Sequence, residues 1–79
     1  MVESAYVLIN TAIGKTGEVT KEISKIKGVI KAQSITGQYD IIAIIEADNM
    51  NDLGKIVANE IQNVSGVIGT ITCPTIDLG

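Results

Sequence analysis

The chain has 79 residues and a net charge of −3, and 46% of its residues are hydrophobic although only 3% are aromatic. A chain of this length forms a single domain over residues 1–79, and so small a domain buries only about 60–65% of its unfolded surface. The acidic balance argues against nucleic-acid binding, which needs clustered lysines and arginines against the phosphates. No secretory signal and no bilayer-spanning apolar stretch is visible, so we expect a cytoplasmic protein without membrane contact.

Reactive side chains are scarce in this composition. The chain has no histidine, which is the commonest metal ligand and the commonest general base. Cys73 is the single cysteine, so neither an intramolecular disulfide nor a cysteine-rich metal site can form. No neighbouring base would activate Cys73 as a nucleophile, and a small strand residue is its simpler role. We therefore expect a binding protein with no catalytic residue, no metal and no cofactor.

The first half of the chain predicts a strand, a helix and a second strand. A first strand over 4–12 is indicated by the apolar residues 5–9, which by the two-residue period make both of its faces largely apolar. Thr16 is the expected N-cap of the helix, because a threonine hydroxyl can accept from the free backbone amides of the first turn. The apolar stripe of this helix consists of Val19, Ile23 and Ile26. Gly28 ends the helix, and the second strand covers residues 29–36.

Two further strands are predicted in the second half. Residues 40–47 form the third strand, and its continuous apolar run over 41–45 indicates burial on both faces. The fourth strand covers residues 67–73 and stops at Pro74, because proline cannot continue a central ladder. Residues 74–79 form a short tail.

A second helix lies between these strands. Asp48 or Asn49 is its expected N-cap. Its apolar stripe consists of Met50, Leu53, Val57, Ile61 and Val64. Gly54 weakens the helix by about 1 kcal/mol relative to alanine, so we expect a neighbouring group to pack closely there.

The two halves of the sequence repeat each other. At an offset of 38 residues, Glu22, Ile23, Ile26, Gly28, Val29 and Ile30 recur as Glu60, Ile61, Val64, Gly66, Val67 and Ile68. Two strand–helix–strand units predict an α+β, ferredoxin-like βαββαβ fold, a four-stranded antiparallel sheet with two helices on one face. Right-handed crossovers then put the first and third strands in the centre of the sheet.

The other face of the predicted sheet has no cover. It would expose Tyr6 and Leu8, or their alternates, together with half of the apolar run over 41–45, a larger patch than soluble monomers usually show. We expect a second copy to bury this face in a two-fold homodimer, a dimeric α+β barrel.

A polar segment joins the second and third strands. It consists of Thr36, Gly37, Gln38, Tyr39 and Asp40. One interpretation is a plain hairpin in which Gly37 supplies a positive φ and Asp40 accepts from nearby amides. The other is a small pocket for a zwitterion, with oxygens for an ammonium and N–H or hydroxyl groups for a carboxylate. Thr70 and Thr72 share one face of the fourth strand, where threonine is also simply a good strand residue.

These features together resemble the effector-binding domain of Lrp/AsnC regulators, also called the RAM or SAM domain. The resemblance is carried by Ile26-Lys27-Gly28-Val29, Thr36-Gly37-Gln38-Tyr39-Asp40-Ile41, Val64-Ser65-Gly66-Val67 and Thr70-Ile71-Thr72. It implies the βαββαβ fold, homodimers formed through the sheets, and rings of dimers. It also implies that an amino acid binds between dimers, close to the hairpin of strands two and three.

The resemblance further implies a set of ligand-binding residues. Residues 36–40 would line the amino-acid site, and Thr70 and Thr72 would reach it from strand four. Full-length regulators carry an N-terminal helix-turn-helix, whereas this chain starts at its first strand and resembles the stand-alone members. The implied partners are thus a small-molecule effector, further copies of the chain and full-length regulators that it modulates, without direct contact to nucleic acid.

Two other functions stay open at this point. A purely structural oligomerisation module would need the same fold and no ligand. Many dimeric α+β barrels are small enzymes, such as monooxygenases and isomerases, with a pocket lined by His, Arg, Tyr or Asn. This chain has no histidine, and it offers only Asn10 among the asparagines of its predicted strands, with Tyr6 and Tyr39, for such a pocket.

Overall fold

The structure is a computed structural model that describes residues 2–78, so Gly79 at the end of the predicted tail lies outside it. The elements are β1 (Glu3–Thr11), α1 (Thr16–Ser24), β2 (Val29–Ser34), β3 (Ile41–Ala47), α2 (Met50–Lys55), a π-helical segment (Ile56–Ile61) and β4 (Val67–Pro74). The antiparallel sheet has the order β2-β3-β1-β4, which confirms β1 and β3 as its centre. No helix within residues 2–78 is both long and apolar enough to cross a membrane.

One face of the sheet packs against the helices and forms the core. The two central strands alternate, so every second side chain points to that face. The fully buried positions are Ala5, Val7, Ile9, Ile41, Ala43 and Ile45 from the sheet, with Val19, Ile23 and Ile61 from the helices. Each buried valine or isoleucine contributes about 1.5–3 kcal/mol relative to an exposed one, which makes this layer the main stabilising feature of the chain.

The opposite face is apolar and lacks a cover within residues 2–78. It carries Tyr6, Leu8, Ile42, Ile44 and Ile71, and we call these residues the open face. Tyr6 and Ile71 are 43% and 47% exposed. Within a single chain the run over 41–45 is buried on one face, and Ile42 and Ile44 on the other face are half-buried. Burial of that second face therefore stays a prediction for the dimer.

The start of α1 differs from the prediction. Thr16 is the first helical residue, and Lys15 takes the N-cap position without a side-chain cap. The Lys15 carbonyl already accepts from the Val19 amide at 3.0 Å, which starts the helix one residue earlier than a Thr16 cap would. The Thr16 hydroxyl instead pairs with that of Thr11 at 2.8 Å, and no side chain caps the first-turn amides.

The second helix confirms its predicted cap and departs from the prediction elsewhere. The Asn49 side chain accepts from the Asp52 amide at 2.8 Å. After α2 the helix widens into the π-helical segment, in which the Gln62 amide donates to the Val57 carbonyl five residues back at 2.9 Å. The expected close contact at Gly54 is wrong, because a Cβ there would have nothing within 4 Å.

Strand ends move by one or two residues from their predicted positions. β1 ends at Thr11, β2 ends at Ser34, β3 begins at Ile41 and β4 includes Pro74. β2 and β3 are shorter than predicted because residues 35–40 form the connecting loop, in which the Ile35 amide donates to the Asp40 carbonyl at 2.8 Å. Proline is tolerated at the end of β4 because this strand lies at the sheet edge.

The strand registers reveal a two-fold symmetry inside the chain. One row across the sheet joins Gln33, Ile42, Leu8 and Ile71, so the axis passes between Leu8 and Ile42. The helices, corners and returning strands match at an offset of 38, but the registers match the leading strands β1 and β3 at 34. In the second half, four more residues therefore separate the leading strand from the equivalent helix positions. They form the start of the longer helix, which begins at Met50 and not at Gly54, the equivalent of Thr16.

Candidate functional site

The hairpin loop between β2 and β3 is shaped by Gly37. This residue has φ +126°, a conformation that side chains with a Cβ rarely adopt, and a Cβ there would meet nothing within 4 Å. Thr36, Gly37 and Gln38 are exposed, and the Thr36 and Gln38 side chains make no hydrogen bond within residues 2–78. The loop tip thus presents a hydroxyl, an amide and a special backbone turn to the outside.

Asp40 anchors the loop to the end of β1. Its Oδ2 accepts from the Thr11 amide at 2.8 Å and from the Thr11 hydroxyl at 3.3 Å, and its own amide donates to the Ile9 carbonyl at 2.9 Å. Both side-chain bonds go to Oδ2, so Oδ1 has no hydrogen-bond partner within residues 2–78. The carboxylate therefore combines a structural bond with one oxygen that a ligand ammonium could use.

A set of hydroxyl groups surrounds this anchor, and the sequence analysis missed it. It consists of Thr11, Thr16, Thr20 and Ser34, and together with Asp40 we call it the hydroxyl network. Thr11 is only 8% exposed and is the one buried polar residue within residues 2–78. The spacing of Thr16 and Thr20, one helical turn apart, was the available sequence signal.

Thr70 and Thr72 share one face of β4, as predicted, and this is the helix-covered face. Both are half-buried, and the Thr70 hydroxyl accepts from the Gln62 side-chain amide at 2.9 Å. β1 lies between β4 and β3, and Thr70 and Ile41 flank Ile9 from opposite sides. Their Cα atoms are thus about 10 Å apart, which is two strand spacings. Within one chain the structure does not bring the threonines to the hairpin.

The remaining candidate features are distributed over the surface. A groove of about 830 Å³ runs between α1 and the π-helical segment, lined by lysines, glutamates and asparagines above Ile26 and Val64. The ion pairs Lys15–Glu18 at 3.8 Å and Lys25–Glu22 at 3.3 Å are exposed, so each contributes little stability. No group of three or more acidic or thiol ligands within residues 2–78 could hold a metal ion.

Comparison with known sequences finds regulators above all. The HTH-type transcriptional regulator LysM of Saccharolobus solfataricus is 38% identical over 55 residues, which are 70% of this chain and 38% of that protein. Homocitrate synthase of Sulfurisphaera tokodaii is 42% identical over 57 residues, which are 72% of this chain and 12% of that enzyme. The match spans less than half the length of the LysM regulator and of two further HTH-type regulators, from Pyrococcus furiosus and Pyrococcus abyssi.

Comparison with solved structures confirms the fold. A hypothetical protein from Pyrococcus horikoshii superposes with a TM-score of 0.86 at 32% identity and covers 96% of this chain and 90% of its own. The L-Met complex of a transcriptional regulator from Neisseria meningitidis gives a TM-score of 0.84 over 96% of this chain and 51% of that one. At 15% identity, the second likeness shows the fold alone.

The family assignment rests on nearly the whole chain. The profile described as Lrp/AsnC ligand binding domain matches residues 4–77, from β1 through β4 and into the segment that follows it. The βαββαβ order, the central pair β1 and β3 and the loop at 36–40 all lie within this match. The chain therefore belongs to the Lrp/AsnC ligand-binding domain family.

Proposed function

We propose that this domain binds an amino acid, or a similar small zwitterion, at the hairpin loop over residues 36–40. The observation that carries the proposal is the loop tip itself. Its Thr36 and Gln38 side chains are exposed, make no hydrogen bond to the described part of the chain and lie on a turn that requires Gly37. The tip offers donors for a carboxylate, and Asp40 Oδ1 offers an acceptor for an ammonium. The regulator from Neisseria meningitidis, solved with L-Met, supports this class of ligand.

The site is open in a single chain, and we propose that further copies complete it. A second copy would cover the open face around Leu8 and Ile42 in a two-fold dimer, since an apolar patch of this kind is costly in water. Neighbouring dimers in a ring would then bring Thr70 and Thr72 of another chain to the loop. This arrangement would give the two threonines the role that one chain alone does not provide.

The same chemistry suits a regulatory partner rather than a reaction. The loop holds donors and acceptors, and the hydroxyl that contacts its carboxylate belongs to the buried Thr11, so we propose binding without catalysis. The ligand state of the oligomer would be transmitted to full-length regulators that share the domain. The match to part of a homocitrate synthase favours a second candidate, in which the domain reports an amino acid to an enzyme instead.

The test is a thermal-shift screen against the standard amino acids, with the mass in solution measured in parallel. A ligand at 100 times its dissociation constant adds about 2.7 kcal/mol, and each kcal/mol raises the midpoint by about 4–8 °C in a domain of this size. We expect a clear shift with one or a few amino acids, and a mass of at least a dimer. A stable oligomer without any shift would favour the structural oligomerisation module, and a monomeric mass would contradict the sheet-to-sheet dimer.

Replacement of Gly37 then locates the site. Gly37→Val should abolish binding, because a β-branched residue resists the positive φ on which the loop tip depends. Gly54→Val is the matched control, since Gly54 also has free space around it but an ordinary helical φ. Binding by titration calorimetry that stays at the wild-type level in Gly37→Val would place the site elsewhere.

A further inference from the structure

In the hydroxyl network, the hydrogen bonds that lead from Thr16 through Thr11 to Asp40 have a defined direction. The Asp40 carboxylate can only accept, so the Thr11 hydroxyl donates to Oδ2 at 3.3 Å. A threonine hydroxyl has one proton, so the Thr11 oxygen must accept the bond of 2.8 Å that joins it to Thr16. The Thr16 hydroxyl is therefore the donor at the far end of a chain that leads to the residue closing the hairpin loop.

A second path of hydrogen bonds also starts at Thr16 and leads through Thr20 to Ser34. The Thr20 hydroxyl donates to the Thr16 carbonyl at 2.8 Å, so its oxygen must accept from the Ser34 hydroxyl at 3.0 Å. Ser34 is the last residue of β2, and the loop begins directly after it. Thr16 thus connects to both ends of the loop, to Asp40 through its side chain and to Ser34 through its carbonyl.

The internal symmetry of the chain provides a comparison without this network. In the second half, Gly54 and Ala58 occupy the places of Thr16 and Thr20, and Ile45 occupies the place of Thr11. None of the three has a polar side chain, although the core positions around them are kept. The fold of one half therefore forms without these hydroxyls, and the half that has them is the one that holds the hairpin loop.

We propose that the first turn of α1 positions the loop over 36–40 for its ligand, with Thr16 as the central positioning residue. The inference rests on the proposed function and adds residues that no ligand needs to touch. Two of the network's partners flank the loop, so their bonds limit how far its two ends can move apart. A pre-positioned loop loses less conformational freedom on binding, which raises affinity without a new contact.

The decisive variant is Thr16→Val, which keeps the shape of the side chain and removes the hydroxyl. With the amino acid identified by the screen, we expect affinity to fall about fivefold to tenfold, the range for one lost hydrogen bond. Thr16→Ser should restore it. The matched control is Thr75→Val, which removes a hydroxyl that pairs with Ser4 at 2.7 Å at the opposite end of the sheet, and which should leave affinity unchanged.

Amide hydrogen exchange measures the positioning itself. In Thr16→Val, the Thr11 and Ile35 amides, which donate to Asp40, should exchange faster, whereas the Thr75 amide, which donates to Ser4, should not. Unchanged exchange at Thr11 and Ile35 would overturn the inference whether or not a ligand is found. Wild-type affinity in Thr16→Val would also overturn it and leave the proposed function intact. A wild-type protein that binds no amino acid would contradict the proposed function and the ligand part of the inference, and the exchange rates would then decide whether Thr16 positions the loop.

Discussion

The two halves of this chain share a core and differ in their polar residues. Ile23 and Ile61 occupy equivalent, fully buried places, and Gly28 and Gly66 form equivalent corners with positive φ. The first half adds the hydroxyl network, while the second half adds a longer helix with a π-helical segment. The fold therefore requires the apolar residues in both halves, whereas the polar residues can differ between the halves.

The largest expected effect tests whether the core residues of the two halves contribute equally to stability. Ile23→Ala and Ile61→Ala should each lower the free energy of unfolding by about 2–5 kcal/mol, because each leaves a cavity in a fully buried place. The measurement is denaturant unfolding at one fixed protein concentration. The equivalent exposed pair, Ile30→Ala and Ile68→Ala, is the control and should cost about 0.5 kcal/mol or less. A small effect at only one core position would show that the two halves contribute unequally to the free energy of unfolding.

The glycine corners should respond less strongly and unequally. Gly66→Ala and Gly28→Ala each place a Cβ at positive φ, which costs about 1–3 kcal/mol. We expect the larger loss at Gly66, where the Cβ would lie 2.8 Å from Cγ2 of the buried, stiff Val19. At Gly28 the nearest atom, at 2.6 Å, is the movable Ile56 Cδ1.

Denaturant unfolding measures this difference between the corners. Gly17→Ala is the control, since it lies in α1 with an ordinary φ and free space, and it should not destabilise the chain. Equal losses at Gly28 and Gly66 would mean that the positive φ alone sets the cost.

The smallest expected effect concerns the helix caps. Asn49→Ala should cost about 1 kcal/mol, because the Asp52 amide loses its acceptor. Lys15→Ala should cost less, since Lys15 provides no side-chain cap and only an exposed ion pair with Glu18. Thermal unfolding of the two variants gives the comparison, and a loss in Asn49→Ala no larger than in Lys15→Ala would contradict the expected contribution of the Asn49 cap.

The proposed site could be predicted only in part. The pattern from Thr36 to Asp40 marks the loop, because a glycine between polar residues is a local signal for a special turn. The bond from Asp40 to Thr11 spans 29 positions in the sequence and depends on how β1 meets the hairpin. A bond between residues so far apart in the sequence has no local signal. Thr16 contacts Asp40 only through Thr11, so the sequence indicated its local role as a helix cap and not its place in the hydroxyl network.

The sequence by itself determined the order of elements, most of the helix core positions and the central place of β1 and β3, but it left open which face of β1 is buried. These follow from local periodicity, from glycine and proline positions and from the handedness of crossovers. Only the tertiary structure decided the offset of 34 between the leading strands, the π-helical segment and the separation of Thr70 from the hairpin. The physical reason is that strand register and side-chain hydrogen bonds between distant residues are set by packing across elements, whereas periodicity describes one element at a time.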